Sequence, residues 1–137
     1  MLTNNTITKL SAIVTLSIFI FCSAFTVKES LPWQRLGFRT VNFQLDRDEI
    51  PVTLASGTFN SVKLLVHNSP LHMHRFVIHF SNGGTQEVLV RERIPKGGET
   101  RIIDLKGGNR GIKKVVFWYD TGNLARGKAI IELWGRH

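Results

Sequence analysis

The sequence predicts an all-β fold, an antiparallel β-sandwich of about eight strands, jelly-roll-like or immunoglobulin-like, preceded by a signal peptide. Three observations carry that prediction. Runs of alternating apolar and polar residues recur at a spacing of about 8–12 residues between turn signals. No window beyond residue 24 shows a helical period. The run Ile112–Tyr119 is apolar on both faces from Val115 onward, the pattern of a central strand covered on both sides.

Trp33–Phe43 reads as the first strand. Leu36 and Phe38 share one parity, Val41 and Phe43 the other, and a slip beside Gly37 predicts a β-bulge. Asp46-Arg47-Asp48-Glu49 reads as a charged turn. Ile50, Val52 and Leu54 then alternate, with Pro51 marking a strand start or an edge. Ala55-Ser56-Gly57 turns the chain into a strand over Phe59–His67, with Val62, Leu64 and Val66 on one face. After Asn68-Ser69-Pro70 comes Leu71–Phe80, with Phe76, Ile78 and Phe80 inward. Ser81-Asn82-Gly83-Gly84 is a hairpin signal, because Asn-Gly readily takes the positive φ angles of a tight turn. Gln86–Ile94 returns with Val88 and Val90 inward, and Arg101–Leu105 and Ile112–Tyr119 follow between glycine pairs. Asp120–Gly127 is a polar loop, and Ala129–Trp134 closes the domain.

Residues 1–24 read as a secretory signal: Lys9, then the apolar run Leu10–Phe21, then Cys22-Ser23-Ala24 as the cut site. Residues 25–31 are a linker and 32–137 a single domain. The expected location is the bacterial periplasm or the exterior. Cleavage after Ala24 removes the only cysteine, so no disulfide is available to the rest. The whole chain carries a net charge of +8, and Arg91–Lys114 alone holds eight basic residues against three acids. Export excludes nucleic acid as the natural partner. Anionic envelope material, lipid headgroups or acidic glycans, is the expected one, with the membrane only as a peripheral surface.

Five residues of that basic stretch, Lys96, Arg101, Lys106, Arg110 and Lys113, are the candidate anion-binding group, on the expectation that the turn residues converge at one end of the sandwich. Gly107-Gly108-Asn109-Arg110-Gly111 lacks the following helix of a phosphate loop and reads as a turn with anion-binding amides. His67, His72 and His74 are the candidate metal ligands, for zinc or copper, should the hairpin bring them together. Asp46, Asp48 and Glu49 crowd carboxylates for calcium, without the longer acidic ladder or glycine of an EF-hand loop. Asp104 is expected to pair with Arg101 or Arg110 across the sheet. The tryptophans and phenylalanines read mainly as core.

Several motifs together, Trp33-x-x-Leu36-Gly37, Asp46-Arg47-Asp48-x-Ile50-x-Val52, Ser81-Asn82-Gly83, Gly97-Gly98-x-Thr100-Arg101-x-Ile103-Asp104-Leu105, Arg110-x-Ile112-Lys113 and Trp134-Gly135, carry a resemblance. The chain resembles a family of small exported bacterial proteins known as domain of unknown function 2541. The resemblance implies a periplasmic or secreted β-protein and supplies no catalytic residues. The leading expectation is a non-enzymatic binding or accessory module without a cofactor. A small metal-binding protein using the histidines is the alternative, and a hydrolase of envelope polymers the third.

Overall fold

The computed structural model describes residues 32–41, 47–121 and 128–137. The expected signal segment and linker, Asp46 and most of the Asp120–Gly127 loop lie outside these residues. The described strands are β1 (Gln34–Thr40), β2 (Arg47–Pro51), β3 (Thr58–Phe59), β4 (Ser61–His67), β5 (Leu71–Phe80), β6 (Thr85–Ile94), β7 (Ile103–Asp104), β8 (Arg110–Asp120) and β9 (Ile130–Arg136). They form two sheets: a smaller one in the order β1-β9-β4-β7, and a larger one in the order β2-β8-β5-β6 with β3 also paired to β8. Every pairing is antiparallel. The architecture is the β-sandwich that the alternation predicts.

The core lies between the sheets. Val62, Leu64, Val66, Ile131 and Leu133 of the smaller sheet meet Ile50, Phe76, Ile78, Val115 and Phe117 of the larger, all without solvent exposure. Each such side chain contributes about 1.5–3 kcal/mol when fully buried. β8 is central, between β5 and the β2/β3 edge. Its outward residues are not covered by a further layer among the described residues. Val116 is only 1% exposed all the same, in register between Glu49 of β2 and Val77 of β5.

The expected bulge in β1 is present: the register with β9 shifts between Arg35 and Gly37. A Cβ at Gly37 would lie 2.7 Å from Ile50 Cγ2, so glycine is what lets β1 close over β2. Other boundaries differ from the expectation, each for a local reason. Arg47-Asp48-Glu49 is not a turn but the start of β2, paired with Trp118, Phe117 and Val116. Leu54 is not inward: it sits in a short 3-10 turn, Leu54–Ser56, and is 77% exposed. The strand expected over Phe59–His67 breaks at Asn60, whose N–H and C=O bond Arg136 O and Leu105 N (2.9 and 2.8 Å), and its two parts join different sheets. Arg101–Leu105 contributes only Ile103–Asp104 to a ladder. Side chains take over the neighbouring backbone groups: the Thr100 hydroxyl accepts from Leu64 N–H at 3.0 Å, and Gln86 donates to Asp104 O at 3.0 Å and accepts from Lys106 N–H at 2.9 Å.

Polar struts join the sheets along both open sides. Arg39 of β1 donates to Glu49 O at 2.9 Å and lies 3.2 Å from Asp48 on β2. On the other side the buried amide of Gln86, from β6, clamps the chain around β7.

Close packing makes one glycine a sharp test. A Cβ at Gly135 would stand 2.8 Å from both Leu36 Cδ1 and Phe59 Cδ1. Gly135→Ala should therefore cost about 1–3 kcal/mol by overpacking. Urea unfolding should show a lowered midpoint at unchanged slope; an unshifted midpoint would mean that β9 and β3 do not meet this closely.

Candidate functional site: the outer face of the larger sheet

Strand alternation decides which side chains reach this face. With Ile50, Phe76, Ile78, Val115, Phe117, Val88 and Val90 turned into the core, their neighbours form rows across four strands. One row is Arg47, Trp118, Arg75 and Leu89. The next is Glu49, Val116, Val77 and Glu87, and the third is Pro51, Lys114, His79 and Thr85.

The first row is a cation–aromatic stack. The Arg75 guanidinium lies 3.7 Å from the Trp118 ring centroid and that of Arg47 lies 5.6 Å from it, one from each neighbouring strand. A stacked guanidinium keeps its N–H edge available for an oxyanion while its plane is held by the indole. Arg75 also lies 3.6 Å from Glu87, and Lys114 lies 3.4 Å from Glu49. Exposed pairs of this kind contribute about 0–1 kcal/mol and are screened by salt. The strands of this sheet carry Arg47, Arg75, Arg91, Arg93, Arg110, Lys113 and Lys114, the larger part of the described strand cations.

At the far end of the face, His72 stands opposite Asp120 on β8 and Arg93 on β6. The His72 and His74 rings are 4.7 Å apart and tilted at 54°. His72 Nδ1 is shut off from solvent with no hydrogen-bond partner.

The residues singled out from the sequence distribute differently. Lys96 lies in the turn whose Gly97 and Gly98 bond Val66, at one end of β4. Lys106 and Arg110 lie at the other end, beside the β5–β6 hairpin. They do not converge with Lys96, because the chain between them runs antiparallel along β4. Arg110 braces two turns: its guanidinium donates to Lys106 O at 3.1 Å and Asn82 Oδ1 at 2.8 Å and stacks 3.6 Å over Phe80. Arg101 donates to Leu89 O on the β6 edge at 2.8 Å. Lys113 is exposed where the β8 register with β5 shifts. Gly107 and Gly108 take φ of 91° and 80°, which explains the glycine pair as turn chemistry. Asp104 accepts from the Ser61 hydroxyl at 3.3 Å rather than pairing with Arg101 or Arg110.

His67 is in the smaller sheet, 3.4 Å from Glu132, whereas His72 and His74 are in the larger. Among the described residues, no group of three or more His, Cys, Asp or Glu side chains is arranged to hold a metal ion. Of the acidic cluster, Asp48 serves Arg39 and Glu49 serves Lys114. All three tryptophans, Trp33, Trp118 and Trp134, are half-buried rather than core. Sequence reasoning read Trp118 mainly as core and passed over Arg47 and Arg75 as outward residues. The signal for Arg75 was available: Leu71 and Met73 have one parity and Phe76, Ile78 and Phe80 the other, so a bulge must lie between them and Arg75 must point outward.

These features define a class, a two-sheet antiparallel β-sandwich module whose larger sheet carries arginines around a tryptophan on its outer face, with carboxylates alongside. The chain belongs to the family described as domain of unknown function (DUF2541), whose model matches residues 12–135. No curated protein matches it. Among solved structures it is similar to Pseudomonas aeruginosa AlgX, at a TM-score of 0.50 and 11% identity. That likeness covers 76% of this chain and 26% of the AlgX chain, and at this identity it speaks to the fold alone.

The stack makes a stability prediction. A double-mutant cycle with Arg75→Ala and Trp118→Leu should give a coupling energy of about 0.5–1 kcal/mol, the value for a cation–π pair near the surface. Additive single effects would show that the two side chains merely lie near one another.

Proposed function

We propose that the protein is a non-enzymatic binding module, acting in the periplasm or outside the cell, that holds acidic glycans of the envelope on the outer face of its larger sheet. The Arg47–Trp118–Arg75 stack is the observation that carries this reading. Two guanidiniums held on either side of one indole offer paired N–H edges to carboxylates repeated along a chain. Arg93 extends the positive surface toward His72 and His74. Anionic lipid headgroups share this chemistry and are the alternative ligand.

The test is binding of polygalacturonate, followed by calorimetry. The triple variant Arg47→Gln, Arg75→Gln and Arg93→Gln should bind about tenfold or more weakly, each exposed charge contributing up to about 1 kcal/mol. Added salt should weaken the unaltered protein in the same direction, since screening acts within about 8 Å at physiological ionic strength. Binding that survives the triple variant, or that ignores salt, would leave the face a solvated surface only.

The His72–His74 pair supports a second reading, a small zinc- or copper-binding protein. The observation is the pairing of two rings 4.7 Å apart, one with a buried and unpartnered nitrogen. Zinc or copper titration should then detect a site that His72→Ala with His74→Ala abolishes and that acid weakens, because only neutral imidazole ligates. His67→Ala should leave it intact, given the separate engagement of His67 with Glu132. A site lost in the His67 variant would instead require all three histidines to act together.

A further inference from the structure

The outer face of the smaller sheet has a different character. Here Gly135, Leu133 and Ile131 of β9 turn inward, so Trp134 and Glu132 turn out, in register with Lys63 and Leu65 of β4 and with Arg35 and Phe38 of β1. Phe38 is 56% exposed, a large apolar ring left in water. Trp33 lies over the same face, with Lys63 Nζ and the Arg136 guanidinium 4.6 and 4.8 Å from its ring. Arg35, 53% exposed, reaches over the Phe38 ring at 5.5 Å.

The acids on this face are spoken for. Glu132 is 14% exposed and is engaged three times: by the Trp134 indole N–H at 2.8 Å, by His67 at 3.4 Å and by Arg35 at 3.5 Å. Glu99 pairs with Lys63 at 3.0 Å. The face therefore presents three aromatic rings and three cations against two carboxylates; Arg35 and Lys63 are each paired with one of these acids, and Arg136 adds the excess positive charge. Tryptophan rings settle at the headgroup level of a bilayer, and an exposed phenylalanine buries at the headgroup–acyl boundary. Each lysine or arginine beside an anionic leaflet contributes about 1 kcal/mol.

We propose that this face docks on the surface of an anionic lipid bilayer. Charge complementarity is the first argument for that occupant. The second is the rings: Phe38 stands exposed beside the half-buried Trp33 and Trp134, side chains suited to the headgroup boundary of a bilayer. The two outer faces lie on opposite sides of the sandwich. Docking by the smaller sheet leaves the Arg47–Trp118–Arg75 stack open to solution, so this inference stands or falls separately from the proposed glycan site.

The three tryptophans are natural reporters, two on this face and one on the other. The protein recovered from the producing cell is mixed with vesicles of brominated phosphatidylglycerol, whose bromines quench nearby indoles. With Trp118→Phe, leaving Trp33 and Trp134, fluorescence should be strongly quenched. With Trp33→Phe and Trp134→Phe, leaving Trp118, it should be nearly unchanged. Arg35→Gln with Phe38→Ala should weaken partitioning about tenfold or more, while a retained thermal transition shows that the variant is folded. Quenching of Trp118 instead would move the lipid to the larger sheet and overturn the proposal. So would absence of quenching in both variants, equal quenching by zwitterionic phosphatidylcholine, or undiminished partitioning of the Arg35/Phe38 variant. Self-association in solution that the Arg35/Phe38 variant abolishes would identify a second copy of the chain as the occupant and also overturn it.

Discussion

The irregularity at His74 in β5 is the constraint on which the rest of the larger sheet depends. A strand presents alternate residues to opposite faces, so a one-residue slip moves every following side chain across the sheet. Leu71 and Met73 lie on one side of the slip, and Phe76, Ile78 and Phe80 on the other, and all five are buried. Without the slip, one of these sets would face water, at about 1.5–3 kcal/mol for each large side chain. β6 accommodates the same point with Arg91 at a φ of 51°, a conformation that a non-glycine residue adopts only under such local demand. The slip also turns Arg75 outward, where it meets Trp118.

Closure of the two open sides explains what became of two residues of the basic stretch, Arg101 and Arg110. A sandwich ends in edge strands whose backbone groups still need partners. Arg101 supplies one to Leu89 O, Arg110 ties the β5–β6 and β7–β8 turns together, and Arg39 joins β1 to β2. Arginine suits this work because one guanidinium offers five donors and a flat face at once. Charge density in the sequence therefore overstated the charge available for a ligand. The strand faces add Arg47, Arg75 and Arg93 to the exposed turn lysines Lys96 and Lys106.

The resulting molecule has two outer faces of unlike chemistry. The larger sheet offers guanidiniums held against one indole, with carboxylates alongside at the 3.4–3.6 Å of loose, solvent-screened pairs. The smaller sheet offers exposed and half-buried rings around a carboxylate already engaged by three neighbours. A single core lies between the sheets and holds the two faces on opposite sides of the sandwich.

Alternation and turn chemistry by themselves determined the fold class, most strand positions, the β1 bulge beside Gly37 and the Asn82-Gly83 hairpin. These are local properties, readable because a strand repeats every two residues and a glycine pair permits few backbone shapes. The β5 slip was equally local and legible in the parity of Met73 and Phe76. The break at Asn60, the short β7 and the convergence of Arg47, Trp118 and Arg75 were not. Each depends on which strands become neighbours, and Arg47 and Trp118 are 71 residues apart in the chain. Strand order follows from burying one shared core, a global condition that no window of sequence contains. Only the tertiary structure decided it, and with it which of many arginines brace the fold and which face outward.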